Sequence, residues 1–376
     1  MRVVFLSNFF NHHQEPLAEA LSDKESIEFY FIETEKMPEE RKNLGYKQYK
    51  REKPPYILSD ATAEKINEVV LSADIVIVGS APYEMVLERL KRNKIVFFYS
   101  ERLFKNLKSV IKLFLSGRIF SVYRNVSKYS SAYLLCASYY AKKDFENIGC
   151  FKSRMFAWGY FPVTSKKSFE QLKVIKTADA ILNIVWVGRL IKWKHPEHAL
   201  YVAKQLNKAG ITCRLHIIGD GSLKSKISNL IKKQHMEDYC IMYGAVKSDE
   251  VRIYFEKADI FLFTSDKNEG WGAVLNEGMS SACCVYANSQ AGATKCLINH
   301  GENGFIYHKS KKNLLCCIKN SIGDNNTFNK CQEKGYYTME NLWNAELAVN
   351  RLISVSERLL NNYAPENYED GPMSKL

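Results

Sequence analysis

The feature that most constrains this chain is a series of short, continuous apolar runs, each ending in small or polar residues before a segment with helical spacing. In the first part of the chain the runs are RVVFLSN (2–8), IEFYFIE (27–33), DIVIVGS (74–80), KIVFFYS (94–100) and AYLLCAS (132–138). Continuous hydrophobicity indicates strands that are covered on both faces, as in a parallel sheet flanked by helices. The pattern predicts a doubly wound α/β domain over residues 1–165.

A second series of runs follows a polar, lysine-rich segment at 163–180, which we interpret as an interdomain linker. These runs are LNIVWVGRL (182–190), TCRLHIIGDG (212–221), YCIMYGAV (239–246), DIFLFTSD (259–266) and CCVYANS (283–289), with helices predicted at about 195–209, 222–234, 248–256 and from about 272. We expect a second doubly wound domain over 166–343, facing the first across a cleft lined by the carboxyl ends of both sheets.

The length of 376 residues agrees with two domains. Residues 361–376 have the composition of a flexible tail. The start of the chain reads as a first strand rather than a signal peptide, and no run approaches the 18 or so apolar residues of a spanning helix. The 10 cysteines lack metal-ligand spacing and favour reduced structural thiols. We therefore expect a cytoplasmic protein, soluble or peripheral on a membrane.

The formal charge of +12 favours phosphate-bearing ligands or an anionic membrane surface. A basic, amphipathic segment at about 102–128 is a candidate for contact with an anionic leaflet, and hence for access to a lipid-linked acceptor. The alternative is a basic solvent-exposed helix face whose apolar side is domain core. The cations do not follow the pattern of a known nucleic-acid reader, so the sequence does not favour nucleic acid as a partner.

Two cations follow the first strand of the second domain. Arg189 lies where the strand opens towards the predicted cleft, and Lys194 lies five residues later, near the start of a helix. Together they suit a diphosphate, since arginine binds oxygens with its fork and lysine as a point charge. The alternative is that Arg189 pairs with a carboxylate and Lys194 is solvated.

Two further turns after strands lie at the same predicted edge. Gly219 and Gly221 allow a close backbone approach to a ligand, although most such turns are only turns. The loop of Tyr243, Gly244 and Ala245 is a candidate edge for a nucleobase.

The stretch EGWGAVLNEG (269–278) joins a strand to a helix that is predicted to begin near Ala273. Free amides at a helix start favour phosphate. A carboxylate more plausibly accepts hydrogen bonds from hydroxyls, so we assign Glu277 to a ribose diol and Glu269 to a sugar beyond the phosphates. The ligand that this predicts is a nucleotide sugar. The main-chain contacts expected around it are Gly188, Gly270, Trp271, Gly272, Ala273 and Val274.

These motifs resemble the retaining nucleotide-sugar glycosyltransferases of family 4 (group 1), which have the two-domain GT-B fold. The resemblance is carried by Gly188-Arg189-Leu190, Lys194, Ile218-Gly219-Asp220-Gly221, Tyr243-Gly244-Ala245-Val246, Ala258-Asp259-Ile260, Ser265, Glu269-Gly270-Trp271-Gly272, Glu277-Gly278-Met279 and Gly301-Glu302-Asn303-Gly304. It implies transfer with retention of anomeric configuration, no cofactor and no obligatory metal. It also implies that Arg189 and Lys194 bind the diphosphate, that Glu269 and Glu277 form the E-x7-E pair, and that a final helix at about 344–360 returns to the first domain.

The chain departs from the family at several positions. His195 and Trp271 stand where glycine and phenylalanine are common. In the first domain the likeness is mainly architectural, because SNFFNHHQEP replaces a Gly-Gly loop and FFYSERLF lacks a histidine common at that strand end. Acceptor-side or phosphate contacts are nevertheless predicted at the ends of two strands, by His12, His13, Glu101 and Arg102. A histidine that caps the following helix is the alternative.

The sequence therefore favours a retaining glycosyltransferase that uses a nucleotide-diphosphate sugar, with a lipid-linked or growing surface-polysaccharide glycan as acceptor. Two alternatives stay open at this point. One is another GT-B enzyme, such as a nucleotide-sugar epimerase, and the other is a basic nucleic-acid-binding protein.

Overall fold

The computed structural model describes residues 1–39, 55–59, 61–105, 117–177 and 181–376. Two compact units are present: residues 1–162 with 343–376 form the first, and residues 163–342 form the second. Each is built on one sheet of parallel strands, and in the described residues helices follow most of the strands. The predicted α/β fold class is thereby confirmed.

The first unit holds a sheet of seven strands in the order β3-β2-β1-β4-β5-β6-β7. The strands are β1 (Arg2–Ser7), β2 (Glu28–Glu33), β3 (Tyr56–Leu58), β4 (Ile75–Val78), β5 (Val96–Ser100), β6 (Ala132–Cys136) and β7 (Met155–Ala157). The described helices are α1 (Glu15–Ser22), α2 (Ala63–Ser72), α3 (Leu87–Lys91), α4 (Arg118–Val126), α5 (Ala141–Asn147) and, at the end of the chain, α14 (Ala345–Leu360), which packs against α1.

The second unit holds a sheet of six strands in the order β10-β9-β8-β11-β12-β13. The strands are β8 (Leu182–Val187), β9 (Cys213–Ile218), β10 (Cys240–Gly244), β11 (Ile260–Phe263), β12 (Cys284–Asn288) and β13 (Phe305–Tyr307). The helices are α6 (Phe169–Thr177), α7 (Pro196–Lys208), α8 (Lys224–Lys233), α9 (Ser248–Lys257), α10 (Val274–Ser280), α11 (Thr294–Leu297), α12 (Lys311–Ile322) and α13 (Asn325–Asn341).

The order of the strands brings particular loops together in each unit. In the second unit β8 pairs with β9 on one side and with β11 on the other, so the strand order reverses at β8. In the first unit β1 pairs with both β2 and β4. The carboxyl ends of strands beside such a switch point are where open α/β sheets bind ligands.

The apolar runs form strands because both of their faces are covered. All four residues of β4 and of β11 are buried. In the second unit one apolar cluster joins β8, β9, β11 and β12 to α7, α8 and α12. Burial stabilises such strands by roughly 25 cal/mol per Å² of apolar surface. A strand with alternating apolar and polar residues would bury only one of its faces.

The segment at 163–180 contains a helix, so its interpretation as a linker is wrong. Residues 169–177 form α6 within the second unit. Leu172 is fully buried in a small cluster with Ala282 and Tyr336. The buried Lys176 donates hydrogen bonds to the carbonyls of Phe255 and Ala258. The lysine-rich composition of this segment is therefore that of a helix, in which Lys176 points inward and donates to main-chain carbonyls.

The end of the chain is ordered, in contrast to the flexible tail expected at 361–376. Met373 is fully buried, its N–H donates to the carbonyl of Ala157 at 2.8 Å, and Lys375 forms an antiparallel bridge with Phe156. These contacts extend the exposed edge of β7, which explains why a polar, glycine-containing sequence is held in place.

Among the residues described, no helix has both the length and the apolar character needed to cross a membrane.

Candidate functional site

The loops after β8 and β9 pack directly on each other. The N–H of Gly188 donates to the carbonyl of Ile218 at 3.0 Å, and the N–H of Leu190 donates to the carbonyl of Asp220 at 2.8 Å. Gly219 has φ +132°, and a Cβ there would collide with the carbonyl of Gly188. A Cβ on Gly221 would lie 2.6 Å from the carbonyl oxygen of Leu190. Both glycines are thus required by the contact between the two loops, whatever they do for a ligand.

The turn that carries Lys194 is tied to the loop after β11. The Oγ1 of Thr264 donates to the carbonyl of Lys194 at 2.5 Å and accepts from the indole Nε1 of Trp186 at 2.8 Å. The N–H of Asp266 donates to the carbonyl of Trp193 at 3.0 Å. These main-chain links fix the turn at 192–194 relative to the loop at 264–269.

An ion pair between Lys194 and Glu269 lies at this junction. The side chains are only 10% and 12% exposed, so two groups that the sequence assigned to different parts of a ligand neutralise each other. Arg189 is exposed and has no carboxylate partner among the residues described. Its guanidinium carbon lies 5.9 Å from the centre of the Trp193 ring, and Lys194 Nζ lies 4.8 Å from the same centre. The structure therefore brings Arg189 and Lys194 beside one indole, with Glu269 paired to Lys194.

Glu277 lies on α10, which runs for only 7 residues. Burial raises the pKa of its carboxyl to about 7, and the nearby Arg252 partly opposes this rise. Its carboxylate makes no hydrogen bond within the described part of the chain. An unsatisfied acid in such surroundings is a candidate to receive ligand hydroxyls.

The Gly-Trp-Gly elbow is partly structural. Trp271 is 1% exposed and its indole Nε1 donates to Asn276 Oδ1 at 3.0 Å, so its side chain belongs to the core. Gly272 has φ +96°, and a Cβ there would collide with the Phe263 ring. The half-buried Ala273 and Val274 then begin α10, and Gly270 is buried.

The predicted nucleobase edge has a side chain engaged elsewhere. Tyr243 donates or accepts a hydrogen bond of 2.9 Å with His216 Nδ1, and its ring lies 4.7 Å from that of Tyr254. Gly244 accepts from the N–H of Gly219 at 2.7 Å, which joins this loop to the loop after β9. Ala245 follows it at the same edge.

The sequence analysis did not predict a histidine cluster at the start of α7. It noted His195 only as a departure from the glycine that is common in the family. His195 Nδ1 lies 3.0 Å from Glu197 Oε1, and its Nε2 lies 3.2 Å from Asp266 Oδ2. The hydrogen bond to Glu197 raises the pKa of His195, whereas burial lowers the pKa of His198 to about 4. The spacing His-Pro-Glu-His at a helix start was the available signal.

In the first unit, His12 and His13 follow β1, and their ring centres lie 4.0 Å apart with the ring planes tilted by 46°. Burial lowers the pKa of His12. The ring of His13 meets Tyr160 edge-on at 5.8 Å, and the Tyr160 hydroxyl lies 3.2 Å from Glu101 Oε1. Three of the four predicted acceptor-side residues, His12, His13 and Glu101, are thus joined through Tyr160.

Arg102 does not join this group. Its side chain is 12% exposed, lies 3.9 Å from Asp144 and covers the Tyr140 ring at 4.4 Å. Arg102 is thus engaged by Asp144 and Tyr140, and the acceptor-side contact predicted for it stays a prediction.

A cavity of about 290 Å³ lies at the carboxyl ends of β4 and β5. Its walls include Pro82, Phe98, Tyr99 and Tyr123. Tyr123 belongs to the basic segment predicted at 102–128. Residues 106–116 of that segment lie outside the described residues, so its contact with a membrane stays a prediction.

Comparison with known proteins identifies related chains. Residues 169–337 match the family described as "Glycosyl transferases group 1". WcaL of Salmonella typhimurium, which carries a provisional name as a colanic acid biosynthesis glycosyltransferase, is 28% identical over 146 residues, or 38% of this chain and 36% of that protein. An enzyme of Campylobacter jejuni, N-acetylgalactosamine-N,N'-diacetylbacillosaminyl-diphospho-undecaprenol 4-alpha-N-acetylgalactosaminyltransferase, is 28% identical over 132 residues, or 35% of this chain and 34% of that protein. The chain thus spans about a third of the length of the curated relatives it matches.

A similar fold is found in HepE of Anabaena, solved in complex with UDP. The TM-score is 0.70 at 13% identity, covering 96% of this chain and 100% of that one. The second unit thus contains a segment similar to the group 1 glycosyl transferases, and the likeness to HepE shows the fold of the chain, two Rossmann-like units as in the GT-B fold.

Proposed function

We propose that this protein is a retaining glycosyltransferase that moves a sugar from a nucleotide-diphosphate sugar to a hydroxyl of a glycan acceptor. The observation that carries the proposal is the buried Lys194–Glu269 pair beside the exposed Arg189. A free arginine, an exchangeable lysine and a carboxylate in one place match the chemistry of a diphosphate joined to a polyhydroxylated ring.

The diphosphate is assigned to Arg189 and Lys194. Arg189 has no internal carboxylate to displace within the described residues, so its fork is available for two phosphate oxygens. Lys194 reaches the same region on a flexible stem, and both cations border the Trp193 ring. The helix α10 is short, with 7 residues, so we assign most of the electrostatic attraction to the two side chains rather than to its amides.

Glu269 is assigned to hydroxyls of the transferred sugar. In the ligand-free protein its charge is neutralised by Lys194. When diphosphate oxygens take over Lys194, the carboxylate of Glu269 becomes available to accept hydrogen bonds from sugar hydroxyls. Donor binding would then replace one internal ion pair with two sets of ligand contacts, which avoids leaving either charge buried alone.

Glu277 is assigned to the ribose diol. Its carboxyl is half-buried and without a hydrogen bond in the described part of the chain. Two hydroxyls of a ribose would supply the donors that this carboxylate lacks.

The acceptor is proposed to contact the first unit through His12, His13 and Glu101. The related enzyme of Campylobacter jejuni is named for transfer to a diphospho-undecaprenol-linked sugar, and WcaL is named for a surface polysaccharide. These names support a lipid-linked or growing polysaccharide acceptor. Such an acceptor would place the protein in the cytoplasm, at the inner face of a membrane.

The proposal is tested by thermal unfolding of the full chain with UDP-, GDP- and ADP-sugars. UDP-sugars come first because the structure of HepE contains UDP. A true donor at about 100 times its dissociation constant should raise the free energy of unfolding by about 2.7 kcal/mol. No stabilisation by any member of the panel would count against a donor site.

Product analysis then tests the reaction. Anomeric NMR of the transferred sugar should show the configuration of the donor, and activity should survive a chelator, since no metal is assigned to the phosphates. Conversion of the donor into its epimer would instead support the epimerase reading. Glu269→Gln should lower turnover more than donor affinity, whereas Glu277→Gln should mainly weaken donor binding.

A further inference from the structure

We propose that His195, Glu197 and His198 form a binding site for a divalent transition-metal ion such as Zn²⁺. The site is separate from the groups assigned to the phosphates, and the inference does not depend on the transfer reaction.

The three residues occupy the start of α7. His195 is the N-cap, with a left-handed backbone at φ 49° and ψ 51°, and Glu197 and His198 lie in the first turn. One potential ligand atom from each residue lies within 4.8 Å of those of the other two. Ligand atoms around Zn²⁺ stand about 3–3.5 Å apart, since each lies about 2.0–2.2 Å from the metal. Small side-chain rotations therefore bring the three atoms onto one ion.

The residue that supports His195 is already in place. Its Nε2 lies 3.2 Å from Asp266 Oδ2, and its Nδ1 faces Glu197 Oε1 at 3.0 Å. When Nε2–H is donated to Asp266, a metal ion that displaces the Nδ1 proton would meet a lone pair directed at the position shared with Glu197. Metal-binding histidines usually have such a carboxylate behind them. Asp266 is itself fixed, because its Oδ1 accepts from the N–H of Asn268 at 2.9 Å.

Two buried polar atoms near the cluster lack a hydrogen-bond partner among the residues described. They are Nδ1 of His198 and the hydroxyl of Tyr307. Tyr307 is fully buried and is electrostatically coupled to Glu197, so it lies close to the cluster. Unsatisfied buried groups of this kind point to an ion or a water that completes the site. A metal ion bound by His198, with a coordinated water near Tyr307, would satisfy both atoms.

The local charges suit a cation. Glu197 and Asp266 contribute two carboxylates, which exceed the charge of Lys311, a cation that acts on His198 together with His195. Lys194 is already paired with Glu269. A bound ion would join the start of α7 to the loop at 264–269, because His195 and Asp266 connect the two segments.

The test is isothermal titration of the metal-stripped full chain with ZnCl₂, repeated with CoCl₂ under an absorption spectrometer. We expect one ion per chain. His198→Gln and Glu197→Gln should each weaken binding by more than the roughly 10–100-fold typical of a lost outer partner, and Asp266→Asn by about that amount. His235→Asn is the matched control, since His235 is exposed, also left-handed at φ 52°, and outside the cluster. This variant should bind the metal ion with the affinity of the wild type.

Several outcomes would overturn the proposal. They are the lack of one-to-one binding in the wild type, equal affinity in the wild type and both ligand variants, and a thiolate-to-Co²⁺ absorption band, which would place the ion on a cysteine such as the exposed Cys316. If His198→Gln does not fold, Glu197→Gln decides, because it keeps the size of the side chain and its hydrogen bond to His195.

Discussion

Each unit contains a buried cation–carboxylate pair in a segment that follows a strand, and the two pairs differ in what else holds the carboxylate. In the first unit Arg102 pairs with Asp144, whose Oδ2 also accepts from the N–H of Leu103 at 2.8 Å and of Phe104 at 3.0 Å. In the second unit Lys194 pairs with Glu269, whose carboxylate has Lys194 as its hydrogen-bond partner within the described residues.

This difference separates a structural pair from an exchangeable one. Two main-chain N–H groups donate to Asp144, and they cannot separate from it unless the turn unfolds. The pair of Asp144 with Arg102 is therefore structural. Glu269 depends on a lysine with a flexible stem, and both partners can find new partners in a ligand. Burial alone therefore does not identify a functional charge. What matters is whether the rest of the fold already satisfies it.

The largest expected effect comes from removing Lys194. Lys194→Met leaves the carboxylate of Glu269 buried without a counter-charge, which should lower the free energy of unfolding by about 3–5 kcal/mol. The double variant Lys194→Met/Glu269→Gln removes both charges and should recover most of this loss. Urea unfolding of the two variants measures the difference.

Arg102→Met is the matched variant in the first unit. Because the main-chain donors of Leu103 and Phe104 still satisfy Asp144, we expect a loss of about 1–3 kcal/mol. An equal or larger loss than for Lys194→Met would show that the two pairs are of the same kind.

A smaller effect on stability, but a clear one on binding, is expected for Arg189. Arg189→Met removes an exposed side chain without a carboxylate partner in the described structure, so the free energy of unfolding should change by no more than about 0.5 kcal/mol. Loss of charge-assisted hydrogen bonds of about 1.5–3 kcal/mol should weaken donor binding about 10- to 100-fold. Calorimetric titration with the nucleotide sugar that stabilises the wild type measures this.

The control for Arg189 is again Arg102→Met, which should retain donor affinity at a temperature where it is folded. If the Arg102 variant lost as much donor affinity as the Arg189 variant, the assignment of the diphosphate to Arg189 would be contradicted.

Sequence patterns predicted most of the strands, because hydrophobic burial is a local signal, but they did not predict β3, β7 and β13. The runs at 74–80 and 259–266 contain β4 and β11. The patterns failed where a tertiary partner decides. Lys176 looked like part of a solvated linker, yet it caps main-chain carbonyls inside the second unit. The end of the chain looked frayed, yet an open edge at β7 holds it.

The same limit applies to the candidate site. Spacing alone placed Arg189, Lys194 and Glu269 at neighbouring strand ends, which the parallel sheet brings together. It did not show that Lys194 and Glu269 pair with each other, nor that Gly219 is needed by the carbonyl of Gly188. These facts depend on distances between segments that are far apart in sequence. For the same reason, the sequence alone does not distinguish the exposed Arg189 from Arg102, which is paired with Asp144.

The smallest expected effect concerns Glu277, an acid that has neither kind of pair. Burial raises the pKa of its carboxyl to about 7, so the folded protein holds a proton that the unfolded chain loses near its ordinary value of 4.5. Its contribution to stability is therefore present at low pH and is lost as the pH rises through about 7. Glu277→Gln should remove this loss. The difference in free energy of unfolding between the variant and the wild type should therefore favour the variant more at about pH 8.5 than at about pH 5.5.

Donor binding should follow the opposite trend, because the ionised carboxylate is the better acceptor for ribose hydroxyls. UDP-glucose is a suitable probe, since its diphosphate diester does not titrate in this range. Its affinity for the wild type should rise modestly between about pH 5.5 and about pH 8.5, and its affinity for Glu277→Gln should stay flat. Identical pH profiles for the two proteins would mean that Glu277 is satisfied by the fold, as Asp144 is, and would move it to the structural side of the comparison.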